Sequence, residues 1–224
     1  MRTRRWKRVE YDRLIEAGFF RPGDPVELLG GQLIVAEPQG SGHFAAVRAA
    51  EEALRAAFGR GWDVRGQGPL ALDEESEPEP DLAVVPGSFR DYQTGHPSRP
   101  VLVIEVSETS VALDREHKGS LYARAGLADY WILNLPERAL EVYRDPEPDP
   151  AAPFGWRYRP VIVLGRGASV SPSGCPDGVS PSPICCSRPT PRFQGFARWC
   201  ERKWARSIRS WSPSPASSCA IAPP

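Results

Sequence analysis

The chain has 224 residues, enough for one domain of ordinary size with an appendage. Its 28 basic and 28 acidic side chains cancel, yet residues 1–172 hold 21 basic and 26 acidic groups and residues 173–224 hold 7 and 2. A mildly acidic body excludes nucleic-acid binding by bulk charge, so any such activity needs a local basic group, a metal or a partner.

The start "MRTRRWKRVEYDRL" is basic, but no apolar run of signal-peptide length follows it. Nothing approaches the roughly 20 apolar residues of a membrane span, so a soluble, cytoplasmic protein without a membrane partner is expected. In chain order, "KRVEYDRLIEAG" predicts a helix over 7–18 with Val9, Leu14 and Ile15 at helical spacing and Gly18 as the stop. "PVELLGGQLIVAEP" predicts two short strands about Gly30-Gly31. Ser41 is the expected N-cap of a helix over 43–58 that gathers Phe44, Val47, Leu54 and Phe58 on one face.

"WDVRGQGPLALD" then reads as a strand or strand pair, "LAVVP" as a short buried strand, and 86–100 as an exposed loop. "VLVIEV" is the most apolar run and is expected at the centre of the sheet. A helix over 113–125 ends at Gly126, and "DYWILNL" and "ALEVYRD" form strands joined by a "PER" turn. "WRYRPVIVL" and "ASVSP" are expected to pair and close the body. Strands outnumber the flanking helices, which predicts an α/β (α+β) fold with a mixed sheet flanked by helices.

After Pro172 the periodicity fails. Residues 173–224 contain nine prolines, ten serines, three tryptophans and all five cysteines. Two domain-level segments follow: a body at 1–172 and a Pro/Ser/Cys-rich tail at 173–224, aberrant or disordered. Trp and Cys do not favour disorder, and a shifted reading frame in a GC-rich gene accounts better for this composition. The cysteines show no paired CxxC spacing and no nearby histidine, which argues against zinc.

Three positions carry the chemistry. Glu105 puts a charge inside an otherwise apolar strand, and burying a carboxylate requires a cation or several hydrogen-bond donors. Asp81 stands just before "LAVV" and could share one cation with Glu105. Lys118 follows on the helix, with Asp114 and Tyr122 at i−4 and i+4 along one face. Two acids near strand ends and a lysine one element later suit metal-assisted phosphodiester hydrolysis, because Mg²⁺ needs only one or two carboxylates plus waters and phosphate. The bland alternatives are a salt-bridged strand-end glutamate, a loop aspartate and a surface ion pair. Glu27 could add a metal ligand, and His43 opens a helix whose N–H groups favour phosphate. Arg65 and Arg99 are further phosphate contacts in principle.

"YDRLIEAG", "VELLGGQLI", the His43 helix, "PDLAVVP", "VLVIEVSETS", "DREHKGSLYARAGLADYWILNL" and "LEVYRD" together resemble the Uma-two family of restriction-endonuclease-like proteins over about residues 5–172. The resemblance implies the PD-(D/E)xK fold and a nuclease using Mg²⁺ or Mn²⁺ on DNA; it leaves a homodimer open. It assigns Asp81 and Glu105 to the metal, with Glu27 as a contributing acid, and Lys118 as the catalytic lysine carried on the following helix. Ser107 occupies the place where the usual motif has its lysine. "EVSETS" lacks a proline common in the family, and "VSPSGCPDGVSPSPICC" replaces the usual apolar strand and terminal helix.

The expected function is therefore a Mg²⁺-dependent endonuclease hydrolysing DNA. The alternative is a non-catalytic nucleic-acid-binding module, or an inactive remnant, with the same fold. A small-molecule hydrolase fits less well, since no Ser-His-Asp or metal-histidine pattern is present.

Overall fold

The computed structural model describes residues 4–173 except positions 22, 37, 160, 166 and 167, together with a two-residue strand at 184–185. The expectations for the rest of the tail, including the shifted reading frame, lie outside the described residues. The elements are α1 (Arg8–Glu16), β1 (Val26–Leu29), β2 (Gln32–Val35), α2 (Ser41–Phe58), β3 (Trp62–Gly66) and β4 (Leu82–Pro86), then β5 (Leu102–Ser107) after a 3-10 turn at Phe89–Tyr92. There follow α3 (Val111–Leu113), a π-helical turn (Asp114–Lys118), α4 (Gly119–Arg124), β6 (Asp129–Asn134) and β7 (Ala139–Arg144). Short strands β8 (Pro146–Pro148), β9 (Trp156–Tyr158), β10 (Ile162–Leu164), β11 (Ser169–Val170) and β12 (Ile184–Cys185) complete the described chain.

Six strands form one mixed sheet in the order β10-β7-β6-β5-β4-β3. Only β5 and β6 run parallel, and the α3–α4 stretch is the crossover that a parallel pair requires. The chain is therefore a mixed α/β protein. "VLVIEV" supplies the buried strand β5 between β4 and β6.

Side-chain alternation divides the core. Leu102, Ile104 and Val106 of β5 pack with Val47, Leu54 and Phe58 of α2 on one face of the sheet. Val103 joins Tyr122, Tyr130 and Ile132 on the other. Burying each such side chain contributes about 1.5–3 kcal/mol, which pins the register of every strand. Glu105 shares the parity of Val103 and so faces α4 rather than α2. Gly30 and Gly31, at φ 55 and 80, form the tight turn between β1 and β2, where a side chain would be strained.

Four local expectations differ from the structure. Gly40, not Ser41, caps α2, and Ser41 is its first helical residue. Phe44 is 60% exposed rather than part of the buried face. In α1 the buried residue is Tyr11, whose hydroxyl donates to the Val26 carbonyl at 2.6 Å, whereas Val9 and Ile15 are exposed. The run "WRYRPVIVL" is divided: β9 pairs with β8, β10 pairs with β7, and β11 pairs with β12.

The β1–β2 hairpin is tied to the 73–79 loop through Leu28 and Glu77, whose backbone groups exchange hydrogen bonds of 2.7 and 3.3 Å. The Glu77 side chain is buried, its Oε2 has no hydrogen-bond partner, and Arg8 stands 3.8 Å away. Burial pushes this carboxyl up to about 7; Asp12 and Glu79 add to the shift and Arg8 opposes it. The folded state thus holds the proton more tightly than the unfolded chain, so stability falls as pH rises from about 4.5 to about 7. Glu77→Gln should raise the melting temperature at pH 8 by a few degrees, on the scale of roughly 2–4 °C per kcal/mol, and leave it nearly unchanged at pH 4. Thermal melts at the two pH values check this, and an equal effect at both would refute it.

Candidate active site

Asp81 accepts the backbone N–H of the residue after Glu105, and Glu105 accepts the backbone N–H of Asp81 itself. Asp81 ends the loop before β4, and its Oδ2 accepts the Val106 N–H at 2.8 Å. Glu105 Oε2 in turn accepts the Asp81 N–H at 3.4 Å. The antiparallel pairing of β4 with β5 sets this reciprocal clasp, since Leu82 lies opposite Ile104. His43 Nε2 stands 3.1 Å from Asp81 Oδ2, and Gln39 Nε2 donates to Oδ1 at 3.3 Å.

The other Glu105 oxygen, Oε1, accepts from Lys118 Nζ at 3.1 Å and from the Tyr122 hydroxyl at 3.0 Å. Lys118 Nζ also lies 3.1 Å from Glu27 Oε1. Glu27 Oε2 accepts the Glu79 N–H at 3.0 Å, which aims the β1 side chain inward. Glu27, Asp81, Glu105, Lys118 and His43 are all buried.

The helix that brings Lys118 here departs from α-helical geometry. Between Asp114 and Lys118 it widens into a π turn, and the Gly119 N–H reaches back to the Asp114 carbonyl. A Cβ on Gly119 would stand 3.3 Å from that carbonyl oxygen and 3.6 Å from the Tyr130 ring, so glycine permits the close approach. π turns of this kind recur at functional sites. Here the turn buries Asp114 and Lys118 together instead of leaving a solvated ion pair. The Asp114 carboxylate accepts from the Ser107 hydroxyl and from Ser110 Oγ at 2.7 Å, and its carbonyl accepts the Tyr130 hydroxyl at 3.0 Å. Ser107 therefore orients the helix start. Tyr122 packs on Tyr130 with ring centroids 4.9 Å apart.

Burial holds Glu105 well above the usual carboxylate range; Lys118 opposes this, and the charges of Asp114, Asp81 and Glu27 reinforce it. For Lys118, burial pulls the ammonium down, but Glu105, Glu27 and Asp114 outweigh it and hold the value above the ordinary one. The ammonium accordingly stays charged, acting as a donor and counter-charge. Burial likewise lowers His43, yet the hydrogen bond and charge of Asp81 bring it above its ordinary value.

These residues form the floor and flanks of a cleft of about 470 Å³. Six carboxylates line it: Glu27, Glu79, Asp81, Glu105, Glu108 and Asp114. The structure thus brings together Asp81, Glu105, Lys118, Glu27, His43 and Asp114, with Tyr122 just behind Glu105. Arg65 and Arg99 are not among the lining residues; Arg65 lies 3.9 Å from Asp63 and over the Tyr92 ring. Sequence reasoning missed Gln39, Glu79 and Glu108. Glu79 was legible only as part of the acidic "EPEPD" run, and no pattern marks the other two.

Among the described residues, no three His, Cys, Asp or Glu side chains are grouped to hold a metal ion. The residues present nevertheless suit a hard divalent cation. Two carboxylates suffice for Mg²⁺ when water completes the shell, and the buried acids Glu27, Asp81, Glu105 and Asp114 share the cleft with a single lysine, Lys118. Glu27 stands across Lys118 from Glu105, each carboxylate 3.1 Å from the ammonium.

A family model described as “Putative restriction endonuclease” matches residues 8–183. A crystal structure of a “putative nuclease” from Anabaena variabilis is similar, with 19% sequence identity and a TM-score of 0.48 over 70% of this chain and 87% of that one. A comparison with curated proteins found no match. No helix among the described residues is long and apolar enough to cross a membrane.

Proposed function

Because the chain belongs to the Uma-two family, we propose that it is a Mg²⁺-dependent endonuclease, also served by Mn²⁺, that hydrolyses DNA phosphodiester bonds. The observation that supports this most is the convergence of Asp81, Glu105 and Lys118 on the floor of one cleft. Asp81 and Glu105 would hold the cation, with Glu27 as an accessory ligand. When bound, the cation would polarise the scissile phosphate and lower the pKa of the attacking water.

The chain's own residues do the rest. Lys118 Nζ keeps its protons, so it donates to the attacking water or to phosphate oxygens as their charge grows. Tyr122 fixes the Glu105 carboxylate, and His43 and Gln39 fix that of Asp81. Asp114 sets the helix start and thereby the reach of Lys118.

A non-catalytic nucleic-acid-binding module is the second reading. It is favoured by the lack, among the described residues, of a ready group of three metal-ligating side chains. Incubating DNA with the protein in Mg²⁺, in Mn²⁺ and in chelator separates the two. Cleavage that the chelator abolishes supports the enzyme, and intact DNA beside demonstrated Mg²⁺ binding supports the module.

A further inference from the structure

Arg65 carries a charge that the fold leaves without a close partner. Arg55, Arg115, Arg124 and Arg144 each hold a carboxylate oxygen at 2.6–2.8 Å. The Arg65 side chain is only 18% exposed, yet Asp63 Oδ2, its one ion-pair contact among the described residues, stands 3.9 Å away. Its Nε is buried and has no hydrogen-bond partner there. An unpaired buried donor is costly, more so on a charged group, so such a guanidinium calls for an anion.

The guanidinium is also held in place. The Tyr92 ring centroid lies 5.7 Å from its Cζ, and the Tyr92 hydroxyl donates to the Pro86 carbonyl at 2.7 Å. A Cβ on Gly68 would stand 3.2 Å from Nη2 and 3.4 Å from Nε, so glycine gives the group room beside the 66–68 bend. The same bend carries Gln67, whose Nε2 donates to Gln39 Oε1 at 2.9 Å, and Gln39 in turn holds Asp81.

Strand register sets the distance to the acids. Arg65 pairs with Ala83 and Ala83 with Val103, so the three share one face of the sheet. The next row on that face is Gln67, Asp81 and Glu105, with the Gln67 N–H donating to the Asp81 carbonyl at 3.0 Å. Two residues of strand span about 7 Å. Phosphates succeed one another by ~3.4 Å of axis along a DNA strand. A strand cut at Asp81 and Glu105 would therefore bring a neighbouring phosphate over Arg65.

We infer that Arg65 binds DNA, its guanidinium donating to the oxygens of a phosphate one or two nucleotides from the scissile bond. This rests on the nuclease reading for the identity of the anion. Arg65 supplies the local basic group that an acidic body needs to hold a polyanion.

The test is the affinity of a labelled oligonucleotide, with Ca²⁺ in place of Mg²⁺, measured by anisotropy from about 50 to 200 mM salt. Arg65→Met should weaken binding by about tenfold or more at the lower salt. It should also reduce the slope of log affinity against log salt by about 0.7–0.9, the loss of one phosphate contact. Arg65→Lys should keep most of the slope, since the charge remains. Arg65→Met removes an unpaired buried donor and keeps the apolar stem, so its melting temperature should not fall. Gly68→Ala keeps the charge but displaces the guanidinium, and it should weaken binding even if Arg65→Met proves unstable. Wild-type affinity and slope in Arg65→Met would overturn the inference; a melting temperature that inorganic phosphate then raises in wild type alone would give the site to a free anion. Cleavage in Mg²⁺ is read separately. Cleavage with unaltered affinity in Arg65→Met defeats this inference alone, and weakened binding in Arg65→Met beside DNA that wild type leaves intact defeats the nuclease reading alone.

Discussion

Lys118→Ala should lower the melting temperature by roughly 10 °C in the absence of divalent ions, and added Mg²⁺ should restore more of it than Mg²⁺ adds to wild type. Lys118 Nζ is the shared partner of Glu27 and Glu105, at 3.1 Å from each, and all three side chains are buried. Removing one partner of a buried ion pair costs about 3–5 kcal/mol, because the other charge is left uncompensated. In a domain of this size each kcal/mol corresponds to about 2–4 °C. A divalent cation on the same carboxylates replaces the missing charge, hence the larger gain in the variant. The variant should also cleave slowly even when Mg²⁺ has restored its stability, because the donor to the developing charge is gone. A melting temperature unchanged by the substitution, or an equal Mg²⁺ effect in both proteins, would remove Lys118 from its place as the counter-charge of the site.

Asp81→Asn should reduce DNA cleavage on the order of 10²–10³-fold while leaving the fold intact. The asparagine oxygen can still accept the Val106 N–H that Asp81 Oδ2 accepts at 2.8 Å, so the join between β4 and β5 survives. What disappears is the negative charge, and with it the proposed hold on the cation and the partner that keeps His43 above its ordinary value. Melting curves beside single-turnover cleavage separate the two effects. Full activity in a folded variant would show that Asp81 serves the strands rather than the chemistry.

The sheet was legible where hydrophobic pattern and burial coincide. An apolar run such as "VLVIEV" belongs between two strands because only there are both its faces covered, and β5 is so placed. The same run exposed Glu105 as an anomaly, since a lone carboxylate within it needs partners. Helical spacing put Lys118 and Tyr122 on one face of the helix, but it could not foretell the π turn. That widening depends on the Gly119 N–H reaching the Asp114 carbonyl and on Tyr130 closing over it, contacts made across the fold.

Short elements were less legible for a related reason. In α1 three apolar residues at helical spacing gave no weight to Tyr11, which became the anchor through a carbonyl on β1. Phe44 fitted the apolar stripe of α2, yet the helix begins at the edge of the cleft and leaves that position in solvent. Gln39 and Glu108 reach the site from segments flanking α2 and β5, where side-chain direction depends on the path of the loop. The clasp between Asp81 and Glu105 likewise depends on strand register, which residue order alone leaves open.

On this reading the carboxylates at positions 81 and 105 make the cleft a divalent-cation nuclease site. The most direct measurement is single-turnover cleavage of labelled DNA, single-stranded and duplex, in Mg²⁺ by wild type and by Glu105→Gln. Glutamine can still accept from Lys118 and Tyr122 but carries no charge for the cation. Wild type should cleave and lose that cleavage to chelator, and Glu105→Gln should lose more than the ~10–100-fold typical when a group that only orients a metal ligand is removed. Undiminished cleavage by Glu105→Gln, or intact DNA with folded, Mg²⁺-bound wild type, would contradict it.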